Sequence, residues 1–115
     1  MSEIKELTEK IKKFRDERDW KQFHNHKDLA ISLALEAAEV LEHFQWKTVE
    51  EIDEYVKMNK DEIGDEIADV AFYLLELSDN LGLDFVEIFN KKLEKNAAKY
   101  PIEKAKGSNK KYNQL

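Results

Sequence analysis

The sequence predicts an all-α fold, an antiparallel bundle of four main helices with one extra short helix. Three observations carry that expectation. Apolar residues recur at spacings of three and four along most of the chain, and capping residues stand at several expected helix starts. Only three glycines and one proline leave little material for a turn-rich β fold. The 115 residues make one domain, small enough that burial between subunits would help it.

The first helix is expected over residues 3–18, where Ile4, Leu7, Ile11 and Phe14 form one core stripe among charged neighbours. The period lapses in DWKQFHNHK, Asp19 to Lys27, which reads as a loop crowded with Trp20, Phe23, His24 and His26. Aromatic faces there would either plug the bundle end or stack on a nucleobase. Asp28 then caps a second helix that runs to about Trp46. Thr48 and Glu51 form a capping box opening a short amphipathic helix through Glu54, Tyr55 and Val56. Around Lys57 to Lys60 the period slips, which places a break or kink there, with Gly64 a further weak point. The third main helix reaches about Leu81, with Gly82 in a C′ position. Asp84 and Glu87 open the last helix, with Ile88, Phe89 and Leu93 inward and Lys91, Lys92, Lys95, Asn96 and Lys99 outward. Tyr100-Pro101 closes it. Residues 1–101 thus form the helical domain, and 102–115 a flexible, lysine-rich tail that could close over a bound anion as a lid.

Composition narrows the function. Nineteen basic against twenty-five acidic residues give a net charge of −6, which argues against nucleic-acid and anionic-membrane partners. Without cysteine there are no disulfides, thiolate metal sites or cysteine nucleophiles, as suits a reducing cytosol. No apolar run reaches the length of a membrane span, so a soluble, cytoplasmic protein is expected.

The chemistry lies in two acidic stripes. On a helix from Asp28 to Trp46, Ser32, Glu36, Glu39 and His43 share one narrow stripe, while apolar residues fill most of the circumference. A helix apolar nearly all round is normally buried, and buried carboxylates need a cation or donors. From Asp61 to Asp79 the same arithmetic gathers Glu62, Asp65, Glu66, Asp69, Tyr73 and Glu76 on one face. Packed together, Glu36, Glu39, Glu66 and Asp69 would make an all-oxygen pocket suited to Mg²⁺ or Mn²⁺. Two solvated acidic faces are the plainer reading of either stripe alone. Acids holding Mg²⁺ near lysines suggest phosphate chemistry, and no P-loop motif is present. A di-iron bundle is disfavoured, because no glutamate stands three residues before any of the three histidines.

These residues also carry a family resemblance. Glu36-x-x-Glu39 and Glu66-x-x-Asp69, ERDW at Glu17 to Trp20, QFH at Gln22 to His24, FQWK at Phe44 to Lys47, and K-x-x-x-N-x-x-x-Y-P at Lys92 to Pro101 together resemble the MazG-like nucleotide pyrophosphohydrolases. The likeness is nearest to the deoxycytidine triphosphatase branch and covers about Phe14 to Tyr112. It implies an all-α enzyme, dimeric or tetrameric, that cleaves a nucleoside triphosphate to monophosphate and pyrophosphate with Mg²⁺. Glu36, Glu39, Glu66 and Asp69 would then be metal ligands, with Glu36 or Glu39 orienting or deprotonating the attacking water. Trp20, Phe23, His24, Trp46 and Tyr73 would surround base and sugar, and Lys92 and Asn96 would meet phosphate oxygens or the metal shell. Two departures stand out. Leu35 precedes Glu36 where the wider family often has a second acid, and Ile11 stands where some members of the branch place a histidine.

The sequence therefore points to hydrolysis of dNTPs, with dCTP and its modified forms first, in nucleotide-pool sanitation. A broad-specificity MazG activity and a non-catalytic helical module binding a nucleotide or partner are the rivals.

Overall fold

The computed structural model describes Ser2 to Leu115. Helices are the only regular elements among the described residues, together with two 3₁₀ turns. The chain divides into two compact units, Met1–Leu83 and Asp84–Leu115.

In the first unit, α1 (Glu3–Glu17) starts where the Lys5 amide donates to the Ser2 hydroxyl at 3.2 Å. Asp19, with φ of 55°, turns the chain out of α1 in a left-handed conformation that aspartate tolerates better than most residues. The Trp20 amide then returns to the Arg15 carbonyl at 3.1 Å, and a 3₁₀ turn spans Lys21–Phe23. Helix α2 (His26–Glu42) begins three residues earlier than the Asp28 cap predicts. Asn25 is the cap: its Oδ1 accepts from the Asp28 amide at 2.9 Å, and its Nδ2 donates to Asp28 Oδ2 at 2.7 Å. Asp28 thus closes a reciprocal cap from inside the first turn. At the other end α2 stops at Glu42 rather than near Trp46, because residues 43–46 tighten into turns with both Phe44 and Gln45 donating to the Leu41 carbonyl.

Helix α3 (Val49–Asn80) opens with the expected Thr48–Glu51 capping box. The short helix and the third main helix are continuous, and the slip expected between Lys57 and Lys60 is a kink at Asn59, with φ −124° and ψ 21°. Its side chain donates to the Tyr55 carbonyl at 3.0 Å, competing for the backbone acceptor of the preceding turn. Gly64 remains helical. At the far end Gly82, at φ 71°, carries the chain through a Schellman turn, with Gly82 N–H to Asp79 and Leu83 N–H to Ser78. Both α1 and α2 pack on α3, so α3 is the shared wall of the unit. Leu29, Ile11, Ile63 and Leu75 form the buried apolar core. The rest of α2 is less covered than its composition predicts: Leu35 is 60% and Leu41 56% exposed.

The second unit holds α4 (Phe85–Lys99), capped by Asp84, and the short α5 (Ile102–Ala105) after Pro101. Tyr112, in a 3₁₀ turn, meets Tyr100 edge-on and lies under the Lys99 ammonium, 4.9 Å from its ring centre. Phe89 and Leu93, expected inward, are 56% and 57% exposed.

Candidate active site

Helices α2 and α3 bring the four predicted carboxylates within electrostatic reach of one another. Glu36 shows it best. Its carboxyl is raised above the ordinary glutamate range, first by burial, then by hydrogen bonding with Glu39, and then by the charges of Glu39, Asp69 and Glu66. Glu36 Oε2 is also buried without a hydrogen-bond partner. A buried carboxylate oxygen among three other acids calls for a cation, and an all-oxygen donor set of this kind fits a hard divalent ion. Among the described residues, however, no group of three or more acids and histidines stands in a ready-made metal-holding arrangement. Glu66 Oε2 accepts a hydrogen bond from His43 Nε2.

The sequence pattern places His43 on the acidic stripe and gives it no role. The structure buries its ring between α2 and α3, where Nδ1 lies 2.6 Å from the Tyr55 hydroxyl. A carboxylate cannot donate, so Nε2 carries the proton toward Glu66, and in the neutral ring Nδ1 is left to accept from Tyr55. Only the angle between α2 and α3 could have revealed this pairing.

Beside the acids, α1, the Trp20 loop and α3 line an open cavity of about 430 Å³, within the size range of small-ligand sites. Ile11 and Phe14 from α1, Trp20, and Asp69, Phe72 and Tyr73 from α3 are among its walls. Phe14 meets Trp20 and Phe72 edge-on, with ring centres 5.8 and 5.9 Å apart. Tyr73 has its hydroxyl pushed above the ordinary tyrosine range by burial and by the charges of Glu36, Asp69 and Glu76. Asp69 belongs to both the acid cluster and the cavity wall.

The remaining predicted residues are placed differently. His24 stands next to Trp20 and Tyr73, two of the cavity's lining residues, with ring centres 6.2 and 6.5 Å away. Phe23 is 61% exposed, and Trp46, in the turn after α2, is 86% exposed. Lys92 and Asn96 lie one turn apart on α4, in the second unit. The sequence pattern places Phe14 in the core stripe of the first helix, gives Phe72 no reading and sets Glu76 among the acids of the α3 stripe; no signal in a single sequence separates those roles.

Comparison with known proteins decides the family. The model of the MazG-like family matches residues 31–115. The chain belongs to the MazG-like family. This MazG-like chain is 34% identical over 104 residues to dCTP pyrophosphatase 1 of Rattus norvegicus and of Homo sapiens, covering 89% of the chain. It spans 61% of the length of those relatives. A solved structure of a pyrophosphatase from Archaeoglobus fulgidus is 41% identical, with a TM-score of 0.82, and the match covers 88% of this chain and 94% of that one. No helix of the described residues is long and apolar enough to cross a membrane.

Proposed function

We propose that this MazG-like chain is a Mg²⁺-dependent nucleoside triphosphate pyrophosphohydrolase that converts a dNTP, with dCTP or modified dCTP favoured, to dNMP and pyrophosphate. One observation carries the reading: Asp69 joins a carboxylate cluster with an orphaned buried oxygen to an aromatic cavity large enough for a nucleobase. The named relatives support the same chemistry, with the dCTP pyrophosphatases pointing to the base.

Glu36, Glu39, Glu66 and Asp69 would hold the ion, which when bound neutralises phosphate oxygens and favours ionised water. The chain's own groups do the rest. One carboxylate of the Glu36–Glu39 pair orients or deprotonates the attacking water. The water oxygen bonds to the α phosphorus, and the bond to the bridging oxygen breaks to release pyrophosphate. Trp20 and Tyr73 wall the base site, and His43 steadies Glu66. The family resemblance gives Lys92, Asn96 and the basic tail a part in meeting the phosphates. A homodimer or homotetramer accompanies this reading, because Leu35 and Leu41 of α2 are left largely uncovered in the single chain.

The direct test follows products from the four dNTPs and four NTPs, with Mg²⁺ and with EDTA. Metal-dependent release of monophosphate and pyrophosphate, fastest from dCTP, is the expected result. Equal turnover of ribonucleotides would shift the chain to a broad MazG activity, and no turnover with nucleotide still bound would leave a binding module.

A further inference from the structure

Glu76 is the most deeply buried ionisable group in the first unit, at 0% exposure, and the proposed reaction gives it no task. It sits on α3 one turn beyond Phe72 and Tyr73, two walls of the cavity. Its Oε2 accepts a hydrogen bond from His24 Nδ1 at 2.6 Å and faces Arg15 Nη1 at 3.7 Å. Arg15 is itself buried, at 2% exposure, and its Nε donates to Asp16 Oδ1 at 2.9 Å. A glutamate is seldom buried unless it is paired, and this one is paired to a ring in the aromatic loop. The loop is held a second time, where Asn80 Nδ2 donates to the His24 carbonyl at 2.8 Å. That amide contact already pins the backbone, so the carboxylate acts on the ring itself.

The hydrogen bond decides the form of the ring. An ionised carboxylate only accepts, so Nδ1 carries the proton and a neutral His24 keeps its lone pair on Nε2. His24 Nε2 makes no hydrogen bond among the described residues, and the side chain keeps 16% exposure. The ring stands beside Trp20 and Tyr73. The other carboxylate oxygen, Glu76 Oε1, is buried without a partner, so the group is not placed there to satisfy its own hydrogen bonds.

We propose that Glu76 is a positioning residue: it locks His24 in the Nδ1–H form, so that Nε2 accepts a hydrogen bond from an N–H or O–H donor on the nucleoside part of the substrate. The inference rests on the proposed nucleotide site. Two donors have the required chemistry, an exocyclic amine on the base and the 3′-hydroxyl of the sugar.

Two readouts test it at a pH of about 8, where an ordinary imidazole is neutral. Long-range ¹H–¹⁵N spectra of the ¹⁵N-labelled protein, with the three histidines assigned by single substitution, report the tautomer without any turnover. The wild type and Glu76→Gln, which keeps an accepting oxygen, should both show Nδ1–H at His24. Glu76→Leu should let the ring revert to Nε2–H, with KM for dCTP raised about tenfold, kcat within twofold, and Glu76→Gln restoring most of the affinity. Should Glu76→Leu alone fail to fold, Arg15→Met/Glu76→Leu removes both buried charges together. Measuring the loss with dUTP, which lacks the amine, and with 2′,3′-dideoxycytidine triphosphate, which lacks the 3′-hydroxyl, identifies the donor: the substrate missing it becomes insensitive to Glu76→Leu. An Nε2–H ring in the wild type, an unchanged KM despite a changed tautomer, or equal sensitivity in all three nucleotides would overturn the inference. Binding of a non-hydrolysable α,β-imido dCTP keeps the two readings apart. A wild type that binds none sinks the nucleotide site and this inference with it, whereas a wild type whose binding ignores Glu76→Leu sinks this inference alone.

Discussion

His43 Nε2 donates to Glu66 Oε2, tying α2 to α3 at the edge of the carboxylate cluster. Outer hydrogen bonds of this kind set the orientation of metal-binding carboxylates, and losing one typically weakens metal affinity by about 10- to 100-fold. His43→Phe keeps the ring's bulk but neither bond, leaving the Tyr55 hydroxyl without its acceptor. Titration calorimetry with Mg²⁺ should show affinity at least roughly tenfold weaker. Equal affinity would make the His43 ring an element of packing.

Glu36 makes the metal-free protein sensitive to pH. Its carboxyl is raised in the fold by burial, by Glu39 and by the charges of Asp69 and Glu66, from an ordinary value of 4.5. A carboxyl raised in this way adds stability while it is protonated, below the ordinary value, and the contribution is lost as pH climbs through the folded value. In EDTA, Glu36→Gln should therefore melt about 5 °C above the wild type near neutral pH, the gap closing near pH 4. Saturating Mg²⁺ should raise the wild type and not the variant. Parallel melting curves at every pH would remove Glu36 from the cluster.

Asp69 bridges the cluster and the cavity, and Glu39 is the neighbour that, after burial, raises the Glu36 carboxyl most. Both side chains are exposed in the single chain, so neither supports the core. Glu39→Gln and Asp69→Asn should each lower turnover by roughly 10³-fold, the scale on which acid–base and metal-holding groups act, with the circular dichroism spectrum unchanged. Activity close to wild type in either variant would take that side chain out of the site.

Leu35 and Leu41 bear on assembly. A helix this apolar is expected to be buried, yet the single chain leaves both mostly uncovered while Leu29 at the start of the same helix is 1% exposed. Leu35→Glu should shift the protein to monomer in light-scattering chromatography and leave its helix content intact. An unchanged mass would place the subunit contact elsewhere.

The legible parts of the sequence were those fixed by local rules. The Thr48–Glu51 box, the Gly82 terminator and the Lys57–Lys60 slip all act within one or two turns, and each has its counterpart in the structure. The pairing of Glu36-x-x-Glu39 with Glu66-x-x-Asp69 was legible too, because helical spacing and the family resemblance agree on it. Asn25 was missed as a cap because Asp28 offers an equally good side chain three residues later, and only the path of the loop chooses between them. Glu76 and His43 were passed over for a different reason. Their partners, His24 and Glu66, lie 52 and 23 positions away, and no periodicity encodes a bond across two helices.

Trp46 raises the sharpest remaining question about the substrate side. A tryptophan 86% exposed in a turn contributes little to the stability of the single chain, so Trp46→Ala should change folding free energy by less than about 0.5 kcal/mol. Stacking on a base is worth roughly 1 to 3 kcal/mol, which corresponds to a rise in KM of at least about fivefold. Because Trp46 is not among the acids, kcat should fall less than KM rises. Steady-state kinetics and chromatographic mass on the same variant separate the explanations. A raised KM at constant mass assigns Trp46 to the nucleotide, a lowered mass assigns it to the neighbouring subunit, and no change in either removes it from the site.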